Sequence, residues 1–150
     1  MKRFKIDRQA ILNAAAQAMA DTVVAADDAF KGAIAQERYD WPNLTQRRNG
    51  QVAGSPRNIV DLGNLLNSQA YQQVAPLEYS FSWSAPYAAI NHEGGQFKNG
   101  RRFTARPWTT QGIRGDSTAP TRYQNADAIL NAPEFFSDRF KTYTQQRRQP

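Results

Sequence analysis

The single histidine, His92, is followed at once by Glu93, and it is the one imidazole available to act as a base. An acyl-transfer site would set that base beside a hydroxyl or thiol nucleophile. The chain has no cysteine, and no Gly-x-Ser-x-Gly elbow presents a serine. A His-Glu-x-x-His metal site would need a second histidine, and a zinc deaminase would need cysteines. Gly94-Gly95 is not followed by Gly-Lys-Ser/Thr, so no Walker loop forms there. The 13 acids show no local pairing of the kind that glycoside hydrolysis uses. His92 therefore reads as a helix-end residue that satisfies a backbone carbonyl or a subunit contact. No enzyme activity, metal or cofactor is expected.

The arginines are the other chemistry-bearing set. Of the 19 basic residues, 14 are Arg and five are Lys, and the net charge of +6 is spread along the chain rather than held in a tail. Two stretches carry bases and no acid. One is Asn43 to Asn58, with Arg47, Arg48 and Arg57; the other is Gln96 to Gln111, with Lys98, Arg101, Arg102 and Arg106. Arginine suits planar, multi-donor contact with carboxylates and phosphates. Such stretches fit solvated loop charge, docking on acidic protein surfaces, or nucleic-acid contact. Phe103 and Trp108 lie close enough in sequence to stack single-stranded bases. Trp41, in a loop, either anchors that loop to its own domain or plugs into a neighbour.

The elements that must position these residues follow from spacing. Ile6 to about Gln36 reads as one long helix with Asp7 as N-cap. Its apolar face is Ile11, Ala15, Ala18, Met19, Thr22, Val23, Ala26, Phe30, Ala33 and Ile34. A stripe this rich in alanine packs closely but buries little area, a first sign of a partner subunit. Glu37 to Val60 looks irregular, and a loop of that length is usually functional or ordered by a partner. Asp61 to Ser68 reads as a helical turn with Leu62, Leu65 and Leu66 on one side. Leu77 to Ser84 alternates as a half-buried strand, with Phe81 and Trp83 in the core. Gln69 to Val74 is its expected hairpin partner, turning at Ala75-Pro76. Pro86 to Glu93 is a short helix with Pro86 in its first turn, ended by Gly94-Gly95. Phe97 to Thr104 is a loop or a hairpin around Asn99-Gly100. Arg106-Pro107-Trp108 to Ile113 enters a helix or a strand, and Gly115 to Thr121 is loop. A last helix starts at Ala132-Pro133-Glu134, carries Phe136, Phe140 and Tyr143 on one face, and reaches about Gln146, before Arg147-Arg148.

The sum is an α+β domain: a long N-terminal helix on a small antiparallel sheet, with short helices and a C-terminal helix. A chain of 150 residues suits one domain, with a core over about 6–115 and a helical extension over about 116–150. Mean hydropathy is −0.73, and no apolar run approaches the ~20 residues that span a bilayer. The basic start at Met1-Lys2-Arg3-Phe4-Lys5 has no apolar region behind it, so no signal peptide is expected.

Three stretches, in this order, resemble one family. Ser55-Pro56-Arg57-Asn58-Ile59-Val60-Asp61-Leu62-Gly63-Asn64-Leu65-Leu66-Asn67-Ser68 is similar to a segment of the small neck and tail-completion proteins of tailed bacteriophages. Ala85-Pro86-Tyr87-Ala88-Ala89-Ile90-Asn91-His92-Glu93-Gly94 resembles their Tyr-Ala helix. Thr104-Ala105-Arg106-Pro107-Trp108-Thr109 resembles their Arg-Pro-aromatic segment. The likeness covers roughly residues 8–115 and departs at Leu62, where the family usually has threonine. The long C-terminal part falls outside it.

The resemblance implies a non-enzymatic virion component. Such a protein assembles in the host cytoplasm as a homo-oligomeric ring, a hexamer in a tail, at the head-tail junction or the head-proximal end of the tail. Its neighbours are neck and tail-tube proteins, and DNA passes its channel without specific binding. In that setting Trp41, Arg47, Arg48, Arg57, Arg101, Arg102 and Arg106 are the expected interface residues. Trp41, Arg47 and Arg48 would lie on an extended loop reaching a neighbour. Asp61, Gly63, Leu65, Tyr87, His92, Glu93, Gly94, Pro107 and Trp108 would form the structural motif. Asp61 would cap the turn after it, Tyr87 would pack beneath its helix, and Arg106 would meet Asp61 or Glu93 as a brace or a subunit bridge. The competing reading is a nucleic-acid-binding module built on the two arginine stretches.

Overall fold

The computed structural model describes residues 7–41, 43–114 and 128–146. Ile6, the Gly115 to Thr121 loop and Arg147-Arg148 lie outside the described residues. Helix α1 runs Arg8–Ala35, and the Asp7 carboxylate accepts the Ala10 amide at 3.0 Å, satisfying one orphan donor of the first turn. Its buried face is Ala14, Ala18, Thr22, Val23, Ala26, Ala29, Phe30, Ala33 and Ile34. The expected stripe holds from Ala18 onward. Ile11 is exposed and Ala14 is buried, because the stripe drifts around the helix toward its N-terminus.

The irregular stretch is more ordered than its sequence implied. Strands β1 (Thr45–Gln46) and β2 (Val52–Ala53) form an antiparallel hairpin. Tyr39 and Arg57 form an isolated antiparallel bridge that closes the base of the excursion, their amides donating reciprocally at 3.0 and 2.9 Å. Helix α2 is Asn64–Asn67, with Leu65 buried. Leu62 does not share its side; it is exposed, because Gly63 turns the chain through a left-handed conformation between them.

Strands β3 (Gln69–Ala75) and β4 (Glu78–Trp83) pair antiparallel, with Tyr71 opposite Phe81 and Gln69 opposite Trp83. The turn is Pro76-Leu77 rather than Ala75-Pro76. Leu77 therefore sits at φ 64, a position that follows the fixed φ of proline. Helix α3 is Ala88–Glu93, two residues later than expected, because Pro86 and Tyr87 are used in the turn before it. Strands β5 (Gly95–Gln96) and β6 (Arg102–Phe103) resolve the Asn99-Gly100 segment as a hairpin, with Gly100 at φ 81. Helix α4 (Trp108–Gly112) leads into β7 (Ile113–Arg114). Strand β7 pairs in parallel with β8 (Leu130–Asn131), and helix α5 (Ala132–Gln146) packs back along α1.

The class is α+β, as expected. Among the described residues the sheet structure is four two-stranded ribbons, three antiparallel and one parallel. The core lies where α1, the β3–β4 ribbon, α2, α3 and α4 meet. It joins Ala26, Phe30, Ala33, Ile34, Tyr39, Ile59, Leu65, Ala88 and Trp108. Aromatic edges link its layers: Phe30 to Phe81 at 4.9 Å, Phe30 to Trp83 at 5.6 Å and Trp83 to Trp108 at 5.5 Å. A polar lock sets the register of ribbon on helix. Gln69 Nε2 donates to the Asp27 carbonyl at 2.9 Å, while its Oε1 accepts Trp83 Nε1 at 3.0 Å. Gly112 lets α4 touch α1: a Cβ there would lie 2.6 Å from the Phe30 ring. The Phe136, Phe140 and Tyr143 face of α5 is half-buried, and Tyr143 Oη donates to Asp21 at 2.6 Å.

Candidate functional site

The site is built where two of the sequence motifs cross. Pro107 holds Arg106 extended, and the Arg106 amide donates to the Asn91 carbonyl of α3 at 2.9 Å. Its Nη1 reaches Asn91 Oδ1 at 3.4 Å, and Asn91 in turn donates to the Tyr87 carbonyl at 3.1 Å. Gly94 permits this crossing. It adopts φ 75, and a Cβ there would lie 2.7 Å from the Phe103 carbonyl oxygen and 2.9 Å from the Ala105 nitrogen. Arg106 is thus clamped to α3 by asparagine, not by Asp61 or Glu93. Asp61 is engaged elsewhere, and Glu93 is exposed at the end of its helix.

Trp41 does not reach outward. It folds back into its own chain, half-buried, under two guanidinium groups. Arg57 lies 4.1 Å from its ring centroid and Arg106 lies 4.2 Å from it. Phe103 meets Trp41 edge-on at 5.6 Å and carries Arg106 at 4.9 Å. Cation–π contact of this kind is worth roughly 0.5–2 kcal/mol per pair. Arg57 and Arg106 are only 7% and 6% exposed. Among the described residues neither has a carboxylate within 4.0 Å. Burial, with Arg57 and Arg47 nearby, pushes the Arg106 pKa down to about 10, and burial beside Arg47 lowers that of Arg57. Both still carry charge at neutral pH.

The β1–β2 turn closes over this stack. Arg47 Nη2 donates to the Asn58 carbonyl at 3.3 Å, and Gly50 completes the turn at φ 85. The Arg48 amide donates to Asp61 at 3.0 Å, and its Nε stands 3.8 Å from the same carboxylate. Asp61 therefore holds the turn and does not cap α2, whose N-cap is Gly63. Trp41, Arg47, Arg48, Arg57, Asp61, Phe103 and Arg106 thus border one cleft of about 350 Å³. A second recess of about 210 Å³ shares Arg48, Asp61 and Arg106 with it and reaches Gly63, Leu65 and Tyr87. Tyr87, at the N-cap of α3, is 38% exposed and borders that recess.

The remaining expected residues lie apart. Arg101 and Arg102 are exposed on the β5–β6 hairpin. His92 meets Trp108 edge-on at 4.7 Å and shares a hydrogen bond of 2.8 Å with the Thr109 hydroxyl. Trp108, 1% exposed behind buried Pro107, is a core residue and cannot stack a base. Asn91 and Tyr39 were not singled out by sequence. Tyr39 is buried with its hydroxyl on the Ala33 carbonyl at 2.9 Å, and burial raises its pKa. The one available signal for the cleft was the acid-free run on both sides of it.

No protein-family model matches this chain, and neither curated protein sequences nor solved structures give a significant match.

Proposed function

We propose that this chain is a non-enzymatic structural component of a tailed-phage virion, assembling as a homo-oligomeric ring at the head-tail junction. The reading rests on the three ordered motifs and is supported by one structural observation. Large apolar side chains are carried outward on the projecting elements. Leu44, at 76% exposure, precedes the β1–β2 hairpin and Val52, at 65%, lies on it, while Val74 is half-exposed at the end of β3. Leu12 and Val24 are likewise half-exposed on α1. Such side chains on projecting hairpins suit protein docking better than solvent. A head-to-tail contact repeated around an axis closes into a ring. Arg101 and Arg102, on their own exposed hairpin beside exposed Phe97, are the arginines best placed for contact with neck or tail-tube neighbours.

Base stacking finds little support. Trp108 is inside the core, and guanidinium groups already lie against Trp41 and Phe103. The test is native mass measurement of the purified chain across concentration, with negative-stain imaging alone and with tail tubes. Six-fold mass and ring images support the reading. A strict monomer that joins neither tubes nor heads refutes it.

A further inference from the structure

The cleft under the β1–β2 turn holds a charge imbalance that the fold does not explain. Four arginines and one carboxylate line it. Asp61 is taken by Arg48, so Arg47, Arg57 and Arg106 have no acidic partner among the described residues. Two of these three are more than nine-tenths buried, and Arg106 Nε has no hydrogen-bond partner there. Buried cations are ordinarily paired, because desolvation without a counter-charge is costly. The fold nevertheless holds these in fixed places, by stacking on Trp41 and by the Asn91 and Asn58 contacts.

We propose that this cleft binds a terminal phosphate group, a tetrahedral oxyanion carrying about two negative charges. Arg47, Arg57 and Arg106 line one space, and arginine pairs with phosphate through parallel hydrogen bonds. A carboxylate neutralises one charge, whereas a phosphate monoester neutralises nearly two. A space of about 350 Å³ admits the phosphate and the first atoms attached to it. Arg57 and Arg106 are only 7% and 6% exposed, and the two charges of a terminal phosphate or free ion offset them better than the single charge of a phosphodiester. The inference stands independently of the ring reading.

The experiment uses the full chain with sodium phosphate and pyrophosphate, at ionic strength matched with chloride, read by calorimetric titration and thermal melting. A 5′-phosphorylated trinucleotide and its 5′-hydroxyl twin separate a nucleic-acid end from a free ion as the source. Saturable binding of either phosphate ion, or of the phosphorylated twin alone, is expected. Arg57→Gln should weaken it about tenfold or more. Arg57→Lys, which keeps the charge but not the fork, should weaken it less, and Lys98→Gln on an exposed turn should not change it. Circular dichroism checks that each variant folds. Absence of saturation up to about 10 mM overturns the proposal. So do equal affinity in Arg57→Gln, saturable binding of both trinucleotides with equal affinity, and tighter binding of glutarate than of phosphate.

Discussion

Replacing Arg106 by methionine should make the protein more stable. The guanidinium is 6% exposed, and burial lowers its pKa from the ordinary arginine value to about 10. At roughly 1.36 kcal/mol per unit that is about 3 kcal/mol against the charged form, and about 2 kcal/mol after allowance for water at the cleft edge. Its stacking on Trp41 and Phe103 offsets part of this, roughly 0.5–1 kcal/mol each. Methionine keeps comparable bulk against those rings and recovers much of that contact through its sulfur. It also removes the buried Nε that has no partner. The net expectation is about 1–2 kcal/mol of added stability, a rise in melting temperature of about 2–6 °C for a chain of this size. The pH dependence has a defined sign. A base whose pKa is lowered on folding binds fewer protons than the unfolded chain only between the two values. Its penalty is therefore complete below about pH 10 and is relieved only above it. The difference between variant and parent should be flat from about pH 6 to 9. Thermal and urea denaturation in chloride buffer, without phosphate, measure it. A melting temperature lowered by more than about 3 °C would show that Arg106 is a stabilising brace and refute the electrostatic reasoning.

Other outcomes follow from the same packing. Gly94→Ala should lose at least about 2 kcal/mol in urea denaturation, since the new methyl meets backbone on two sides at a positive φ. Gln69→Leu should cost about 1–3 kcal/mol, measured the same way, because it strands the Trp83 indole N–H and frees the ribbon from Asp27. Paired Leu44→Ser and Val52→Ser should reduce self-association in native mass spectra with a change in melting temperature below about 2 °C, because both side chains are exposed.

Much of the frame was legible because it is local. The 3–4 spacing and Asp7 marked α1, and the alternation from Tyr79 to Trp83 marked β4. What sequence obscured is short or non-local. A two-residue strand such as Thr45–Gln46, exposed throughout, has no alternation to read. The parallel pairing of Ile113 with Leu130 spans a gap that no local period encodes. The cleft was half visible. Acid-free runs marked Arg47, Arg57 and Arg106, but charge complementarity suggested a carboxylate for Arg106, where the fold supplies Asn91 and the Trp41 ring. Arg101 and Arg102 share the same run yet are exposed, since Arg101 ends the β5–β6 turn and Arg102 alternates with Phe103 along β6.

The Tyr39–Arg57 bridge divides the cleft by inheritance as well as by geometry. Residues 40–56 leave and rejoin the frame at one point, and the main hydrophobic cluster draws no side chain from them. That segment carries the aromatic plate, Trp41, and the rim arginines, Arg47 and Arg48. The frame keeps the floor arginines, Arg57 and Arg106. Losing the plate alone would leave two cations bare, and losing the floor alone would leave an idle tryptophan. Across an evolving lineage, positions 41, 57 and 106 should therefore change together or not at all, while exposed Asn49 at the hairpin tip drifts freely.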